Sequence, residues 1–282
     1  MKISAPYGLG LVTHVQPDVA MKLSELFKRV EFENFEFLLE IGGIYIDDKR
    51  VFTDVEVLPT SLVRVHRKPK RHPIGNVDWG SLIVENNDDF VVINKPYGVP
   101  THATVDNSME NVLYQLSKKL NYTLLMTHRL DAETTGLLLF AKNKQFQSVF
   151  NYLISNKMVQ KKYKALTTNR PEVKRHLHYI RAEKFVPKLV SIEPIEGWQL
   201  CELIVEQVND VTLPNGEPGF ESIIELITGR THQIRAQFTG MNCPLFGDTL
   251  YGDENSEYPL GLQSFILKFN WKNQNKDFSF QL

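Results

Sequence analysis

A cluster of polar residues precedes an apolar run in the segment THRLDAETTGLLLFAKN, residues 127–143. His128, Arg129 and Asp131 can between them exchange protons, bind an anion or attack an electrophile. Residues 137–141 are apolar and lie between a glycine and a polar pair, which predicts a short buried strand. The cluster should therefore lie at the mouth of a strand, where a charged side chain needs a partner of opposite charge.

Four further segments place polar side chains beside apolar strands. Lys95 follows one predicted strand, Tyr163 lies within another among lysines, and Arg230 and Arg235 share a short polar motif. The segments are VINKPYGVPTHA (92–103), KKYKAL (161–166), TGRTHQIRAQF (228–238) and PLFGDTLYGD (244–253). Because these segments are far apart in sequence, only the fold can bring them to one site.

The apolar periodicity predicts the elements that must position these groups. Strands and helices mix without a regular β-α-β alternation, which favours an α+β fold. We expect a small N-terminal module and basic linker over residues 1–75 and a catalytic domain over residues 76–282. Helices are predicted at 22–40, 107–120, 143–156 and from 230, and strands at 44–66, 81–96, 137–142, 157–168, 199–208 and 221–228.

Residues 64–73, RVHRKPKRHP, form a block of cationic side chains that we call the basic block. Its two prolines argue against a regular helix or a central strand, so a linker or an extended arm is expected. A solvated linker and a contact for phosphate groups both remain open, and the second needs a chain that handles nucleic acid.

The composition is that of an ordinary soluble protein, with 282 residues, 42% hydrophobic content and a net charge of −1. Cys201 and Cys243 lie far apart and outside any CxxC pair, which fits a reducing compartment. The N-terminal stretch contains Pro, Gly and Asp where a signal peptide needs a continuous apolar core, and no run is long enough to span a membrane. A cytoplasmic location is therefore expected.

The five motifs, in their order along the chain, resemble those of the RluA-type family of RNA pseudouridine synthases, over roughly residues 81–270. The resemblance implies a mixed, mainly antiparallel bent sheet flanked by helices and loops, with a central catalytic cleft. Thr135, Gln237 and Asn242 depart from the family pattern, which puts local RNA contacts in doubt but leaves the residues of the chemistry intact.

The resemblance also implies the chemistry. Isomerising uridine to pseudouridine breaks the bond between ribose and the ring nitrogen and rejoins the ring through carbon, so neither a cofactor nor a metal is required. A carboxylate can capture the positive charge that develops at the anomeric carbon. The family pattern gives this role to Asp131, an ion pair with it to Arg230, and stacking on the uracil to Tyr163, whose hydroxyl is also a candidate base.

RNA contact and base flipping are implied for Arg129, His128, Lys95, Arg235 and Lys162. A uridine within an RNA stack cannot reach a buried carboxylate, so the base has to be extruded. Arg129 would fill the vacated space, whereas His128 is expected to support its loop more than to touch RNA. The implied partner is ribosomal or transfer RNA, with a monomeric protein as the default.

Residues 22–66 resemble, more faintly, the S-four-like RNA-binding module that often precedes this catalytic domain. The strand half, residues 44–66, fits the pattern of that module. The helical half lacks the usual basic face, since residues 31–37 are acidic and aromatic. Either the module is degenerate or it binds something other than RNA.

Three alternative functions differ from this one in the residues they require. A catalytically inactive RNA-binding relative would not need the intact Asp131, Tyr163 and Arg230. A metallohydrolase would use His176 and His178, but no third ligand of suitable spacing accompanies them. A glycosidase would need a second acid paired with Asp131, and none is evident.

Overall fold

The computed structural model describes residues 1–4, 11–182, 187–271 and 276–282. Residues 5–10, part of the stretch that argued against a signal peptide, lie outside the described residues. The chain forms two compact units, one of Met1–Val77 with Pro100–Asn121 and one of Asp78–Val99 with Tyr122–Leu282. The first unit thus includes a segment expected in the catalytic domain, and a functional boundary near residue 75 stays a prediction.

Within its described residues, the first unit contains a five-stranded antiparallel sheet in the order β1-β2-β7-β4-β5, a two-stranded sheet of β3 and β6, and three helices. Its described elements are β1 (Lys2–Ser4), β2 (Val12–Gln16), β3 (Met21–Lys22), α1 (Leu23–Arg29), α2 (Phe35–Ile41), β4 (Ile44–Ile46), β5 (Lys49–Arg50), β6 (Glu56–Val57), β7 (Val63–His66) and α3 (Val112–Leu120). The predicted hairpin over β4 and β5 is confirmed.

The single helix predicted over residues 22–40 is wrong, because α1 and α2 are separate helices. Glu31 and Asn34 have φ of 55° and 60°, so the backbone turns left-handed twice between the helices. Phe27 of α1 packs against Phe35 of α2, with ring centroids 4.9 Å apart. The turn lets both helices present apolar residues to one core, and this explains why the periodicity looked continuous.

The basic block is not a free arm throughout. Arg64 and His66 lie in β7, which is paired on both sides by β2 and β4, so the prediction against a central strand is wrong for these residues. The prolines follow the end of the strand and do not interrupt it. Arg64 forms an ion pair with Asp48 at 2.7 Å, and Arg71 forms one with the buried Glu110 at 2.5 Å. These two cations are used within the unit.

The second unit is built on one large sheet in the order β14-β13-β15-β16-β12-β17-β11-β9-β8, with β10 paired to β11 and β18 to β17. Its described elements are β8 (Ile83–Asn86), β9 (Phe90–Lys95), β10 (Leu125–Met126), β11 (Thr135–Ala141), α4 (Lys144–Ser155), β12 (Gln160–Thr167), β13 (Arg175–Ile180), β14 (Val190–Ser191), β15 (Gln199–Thr212), β16 (Pro218–Leu226), α5 (Gln233–Gly240), β17 (Leu262–Trp271) and β18 (Lys276–Gln281). The pairs are antiparallel apart from β11 with β17, and the predicted α+β class is confirmed.

A glycine allows the parallel contact between β11 and β17. Gly136 has φ of +104°, and a Cβ atom there would lie 2.1 Å from the carbonyl oxygen of Ser264. No side chain fits in that space, so only glycine lets the two strands approach this closely. Ser264 is also the cross-strand partner of Tyr163 in β12. The close approach therefore brings the start of β11 next to the tyrosine of a different motif.

Helix α4 covers the aromatic core of the second unit. Asn143 caps it by accepting a hydrogen bond from the backbone N–H of Phe146, as the predicted start of this helix requires. The rings of Phe146 and Phe150 are fully buried among aromatic side chains of the sheet, including Phe90 and Phe269. This packing supports β11 from behind its apolar run. No helix among the described residues is long and apolar enough to cross a bilayer.

Candidate active site

The loop between β10 and β11 carries the polar cluster, and side chains tie it to the strand. Thr127 donates a hydrogen bond through Oγ1 to the carbonyl oxygen of Leu139 at 2.5 Å. The backbone N–H of Leu139 donates to Nε2 of His128 at 3.2 Å. These bonds follow directly on the two paired residues of β10 and tie the start of the loop to β11.

The imidazole of His128 is bonded to the backbone of β11. Burial and, to a smaller extent, the charge of Lys161 lower the pKa of its imidazole to about 3. The ring is therefore neutral, and because Nε2 accepts a bond, its proton is on Nδ1. Its face lies 6.2 Å from the ring of Phe150. Of the two roles implied for His128, the structure favours support of the loop.

A cavity of about 270 Å³ opens beside this loop. Its lining combines side chains from three of the motifs, among them Arg129, Asp131, Tyr163, Arg230, His232 and Arg235. The fold thus brings together residues that are up to about a hundred positions apart in the sequence. The side chain of Asp131 is 17% exposed and lines the cavity, so a ligand in the cavity can reach its carboxylate.

Two cationic or basic groups flank the carboxylate of Asp131. Nη2 of Arg129 lies 3.9 Å from Oδ1, and Nε2 of His232 lies 3.8 Å from the same oxygen. Both distances are within the range of an ion pair and longer than a hydrogen bond. Across the described ranges, no donor hydrogen-bonds to this carboxylate. Its lone pairs are therefore free to face a ligand in the cavity.

Arg230 does not form the predicted ion pair with Asp131. Its side chain is exposed, and its Nε donates a long hydrogen bond of 3.5 Å to the carbonyl oxygen of Leu200. The backbone N–H of Arg230 is bound by the side chain of Gln233, which fixes a turn before α5. This turn directs the arginine to the rim of the cavity. Arg230 thus lines the cavity without contacting the carboxylate.

Arg235 is the arginine that the structure buries at this site, with 3% of its surface exposed. Its Nε and Nη2 bind the two oxygens of Asp248 at 2.8 and 2.7 Å, and Nη2 lies 3.0 Å from Glu133. Burial opposes its charge, but the hydrogen bonds and charge of Asp248, with the charges of Glu133 and Asp131, raise its pKa overall. Arg235 is not accessible to RNA phosphates, contrary to the role implied for it.

Lys95 is also buried, with no exposed surface, so it is not placed where RNA could reach it. Its Nζ donates to the carbonyl oxygens of Pro96 at 2.9 Å and Ala132 at 2.8 Å. Ala132 follows Asp131, so this lysine ties the end of β9 to the loop of the carboxylate. Burial lowers the pKa of Lys95 to about 7, although the charges of Asp131 and Glu133 oppose the effect.

Tyr163 lies in the cavity wall with 5% of its surface exposed. Burial raises the pKa of its phenol, a contact with the side chain of Ser264 lowers it somewhat, and the charge of Asp131 raises it again. A phenol with a pKa above its ordinary value keeps its proton at neutral pH and is a poor base. The structure thus favours stacking or hydrogen bonding by Tyr163 over proton abstraction.

Arg129 and Lys162, the two remaining cations with a predicted RNA contact, differ in whether their charged groups are already bound to a carboxylate. Arg129 is half exposed at the cavity, where its guanidinium can swing towards a ligand. Lys162 has its Nζ bound to both carboxylate oxygens of Glu206, at 2.8 and 2.7 Å. An RNA phosphate would have to compete with that carboxylate, so Arg129 is the better placed of the two.

The side chains of His176 and His178 are engaged by other groups of the fold. Their rings stack in β13 with centroids 6.3 Å apart. His176 contacts the carbonyl oxygen of Glu172, and His178 contacts the side-chain amide of Gln237 at 2.9 Å. Over the described part of the chain, no group of three metal-ligating side chains is clustered. Gln237, one of the departures from the family pattern, therefore has a structural role in the buried face of α5.

His232 is a residue of this site to which the sequence analysis gave no role. It lies in the quoted motif between Arg230 and Arg235, and its φ of 54° starts α5 in the left-handed region. Its position in the motif is the feature that could have indicated a role. A polar residue at the start of a buried helix is a candidate for contact with a carboxylate at the same site. The sequence could not show which way the ring points.

Comparison with known proteins identifies the class to which this fold and site belong. Residues 89–239 match the model of the RNA pseudouridylate synthase family. A chloroplastic RNA pseudouridine synthase 6 of Arabidopsis thaliana is 36% identical over 208 residues, which are 67% of this chain and 44% of the relative. A ribosomal large subunit pseudouridine synthase C of Rickettsia bellii is 28% identical, over 73% of this chain and 63% of the relative.

A solved structure shows the same fold. The human RNA pseudouridylate synthase domain containing 4 superposes with a TM-score of 0.58 and 26% identity, covering 74% of this chain and 91% of that one. The chain belongs to the RNA pseudouridylate synthase family, as the resemblance of its motifs implied. It spans less than two thirds of the length of the two relatives named above.

Proposed function

We propose that this protein is an isomerase that converts specific uridines of a structured RNA to pseudouridine. The observation that carries the proposal is the carboxylate of Asp131, which faces a cavity next to Tyr163 and Arg129. Family membership supplies the reaction class, and the cavity supplies a place for one extruded base.

Asp131 is suited to act on the sugar because no hydrogen bond from the described residues occupies its oxygens. A carboxylate with free lone pairs can attack the anomeric carbon as the bond to the ring nitrogen breaks, or remove a proton from the sugar. Lys95 and Arg235 lie close enough for their charges to interact with it while their donors bind other groups. Because these donors are engaged elsewhere, they do not block the oxygens of Asp131.

Arg129 is the residue best placed to act during base extrusion. It is half exposed, it lies two positions before Asp131, and its guanidinium is 3.9 Å from that carboxylate. An arginine can stack on bases and hydrogen-bond in the space that a flipped nucleotide leaves. Flipping costs a few kcal/mol, and contacts of this kind offset it.

Release of tritium from RNA labelled at carbon 5 of uridine tests the function. We expect the wild-type protein to release tritium and Asp131→Asn to release none above background, because the amide is not a nucleophile. RNA binding should persist in this variant. Binding without release by the wild type would instead support the alternative of a catalytically inactive RNA-binding relative.

Ribosomal RNA is our proposed substrate class, since the Rickettsia relative is named for the large ribosomal subunit. Mapping pseudouridines in RNA from cells that lack the protein would identify the uridine, and a lost site in transfer RNA would refute this choice. A cytoplasmic location and a monomeric state are proposed from the sequence alone. Relatives named as chloroplastic or mitochondrial make fractionation of the native host the necessary check on location.

A further inference from the structure

His232 contacts two groups that together determine where its proton lies. Its Nε2 is 3.8 Å from Oδ1 of Asp131, and its Nδ1 is 3.1 Å from the hydroxyl of Tyr251. The side chain is 15% exposed. The direction of the hydrogen bond at Nδ1 therefore decides whether Nε2 presents a proton or a lone pair to the carboxylate.

The hydroxyl of Tyr251 is directed towards His232 by a second contact. The backbone N–H of Lys188 donates to the Tyr251 oxygen at 2.6 Å. With that oxygen accepting from the backbone, its own proton can be donated to Nδ1 of His232. Burial raises the pKa of the Tyr251 phenol, so the hydroxyl keeps the proton that it donates.

Tyr251 is itself held in place, so its hydroxyl has a fixed position. Asp248 accepts the backbone N–H of Tyr251 at 3.0 Å, and Thr239 donates to its carbonyl oxygen at 3.1 Å. The guanidinium of Arg235 lies over its ring at 5.3 Å. The GDTLYGD motif thus does more than clamp Arg235, because it also delivers a hydroxyl to the histidine.

We propose that Tyr251 and His232 form a positioning pair for Asp131: the tyrosine hydroxyl fixes the histidine with its proton on Nε2, and the dipole of this N–H, 3.8 Å from Oδ1, orients that oxygen of the carboxylate electrostatically. The proposal rests on the proposed function, because it assigns how the nucleophile of that reaction is aimed. A neutral donor directs one oxygen without cancelling the charge, and the other oxygen stays free for the sugar. Neither residue is proposed to touch RNA.

The charges around His232 favour the neutral ring that the pair requires. Burial is the largest influence and lowers its pKa, while the charge of Asp131 raises it. Arg235 and Arg129 lower it, and Asp248 raises it. The net effect is a pKa below the ordinary value, so the ring is neutral at pH 7 and becomes an imidazolium only in acid. An imidazolium would pair with the carboxylate and weaken it as a nucleophile.

Tyr251→Phe tests the pair because it removes the hydroxyl and keeps the ring. We expect the single-turnover rate constant to fall about tenfold, the loss that corresponds to one misdirected hydrogen bond, with the Kd for RNA unchanged. Tyr258→Phe is the matched control, since it makes the same change in an exposed tyrosine of the neighbouring loop. Equal rate constants for the wild type and Tyr251→Phe would overturn the proposal.

The pH profile separates positioning from a general loss of structure. Without the hydroxyl, Nδ1 is free to bind a proton, so the acid limb of the rate profile should move to higher pH in Tyr251→Phe. A structural defect would lower the rate constant at every pH without moving the limb, and that result would also refute the pair.

Nitrogen-15 NMR of the histidine ring gives a readout that does not need turnover. We expect His232 in the free wild-type protein to carry its proton on Nε2 at pH 7, and Tyr251→Phe to show a mixture of tautomers. His232→Asn, which tolerates the left-handed backbone, identifies the signal among the eight histidines. A wild type that releases no tritium would refute the proposed function, whereas an Nδ1–H tautomer in an active wild type would refute the positioning pair alone.

Discussion

Lys95→Met separates the two effects that the buried lysine has on this fold. The wild-type side chain donates hydrogen bonds to the carbonyl oxygens of Pro96 and Ala132, and it is buried without exposed surface. Methionine fills a similar volume but supplies no donor and no charge. The variant therefore removes the cost of burying a charge and, at the same time, leaves two carbonyl groups without a donor.

The pH dependence of stability follows from the lowered pKa of Lys95. The folded-state pKa is about 7 against 10.5 in the unfolded chain, which corresponds to about 5 kcal/mol of folding free energy. Between these values the unfolded state binds more protons, so stability rises with pH by up to about 1.4 kcal/mol per pH unit. The penalty is fully present below pH 7 and is relieved as the pH rises.

Urea denaturation of the wild type and Lys95→Met across this range measures the effect. Above about pH 10.5 the wild-type lysine is neutral in both the folded and the unfolded state and is still hydrogen-bonded in the fold, so the variant should be less stable by roughly 2–4 kcal/mol for the two unpaired carbonyls. This difference should shrink by about 1 kcal/mol per pH unit towards pH 7. Lys118→Met on the exposed face of α3 is the control for loss of a surface charge. A difference that does not change with pH would refute the buried, titrating lysine.

Three further predictions concern Tyr163, Arg235 with Asp248, and Arg230. Tyr163→Phe should keep the single-turnover rate constant within about tenfold of the wild-type value, because the phenol is a poor base. Tyr163→Leu should lower this rate constant far more, because it also removes the stacking surface. An inactive Tyr163→Phe variant would show instead that the hydroxyl acts as the base. Asp248→Asn should lower the free energy of unfolding by about 3–5 kcal/mol, measured in urea, because it breaks a buried ion pair; a loss below 1 kcal/mol would contradict that geometry. Arg230→Lys should change the free energy of unfolding by less than about 0.5 kcal/mol, and Arg235→Lys should change it by several times more. The reverse order would contradict the assignment of Arg235 as the buried arginine and Arg230 as the exposed one.

The elements that depend on local signals were predictable from the sequence. The strand β11 follows from an unbroken apolar run after a glycine, and α4 from its periodicity and the cap at Asn143. The division of residues 22–40 into two helices was not predictable, because the left-handed backbone at Glu31 and Asn34 interrupts a pattern that stays periodic. Periodicity reports which residues are buried and does not report that the backbone is continuous.

The environment of each cation was harder to predict than its place in a motif. Arg230 and Arg235 share one motif, and only the turn before α5 shows that the second one faces the core. The family resemblance implied that Lys95 contacts RNA, and lysine is seldom fully buried. Its burial depends on the carbonyl oxygen of Ala132, a contact 37 positions away that no local pattern records.

The cationic side chains around Asp131 differ in mobility according to how deeply they are buried. Lys95 and Arg235 are buried, and their donors are committed to carbonyl oxygens and to Asp248, so neither can move onto the carboxylate. Near pH 7 Arg235 carries a full charge, whereas Lys95, with a pKa of about 7, carries about half of one. Arg129 is half exposed and has no such commitment to a buried partner among the described residues, so it can leave Asp131 when RNA enters. Under the proposed function, the fixed charge of Arg235 would stay beside Asp131 while the guanidinium of Arg129 moves into the space that the extruded base leaves.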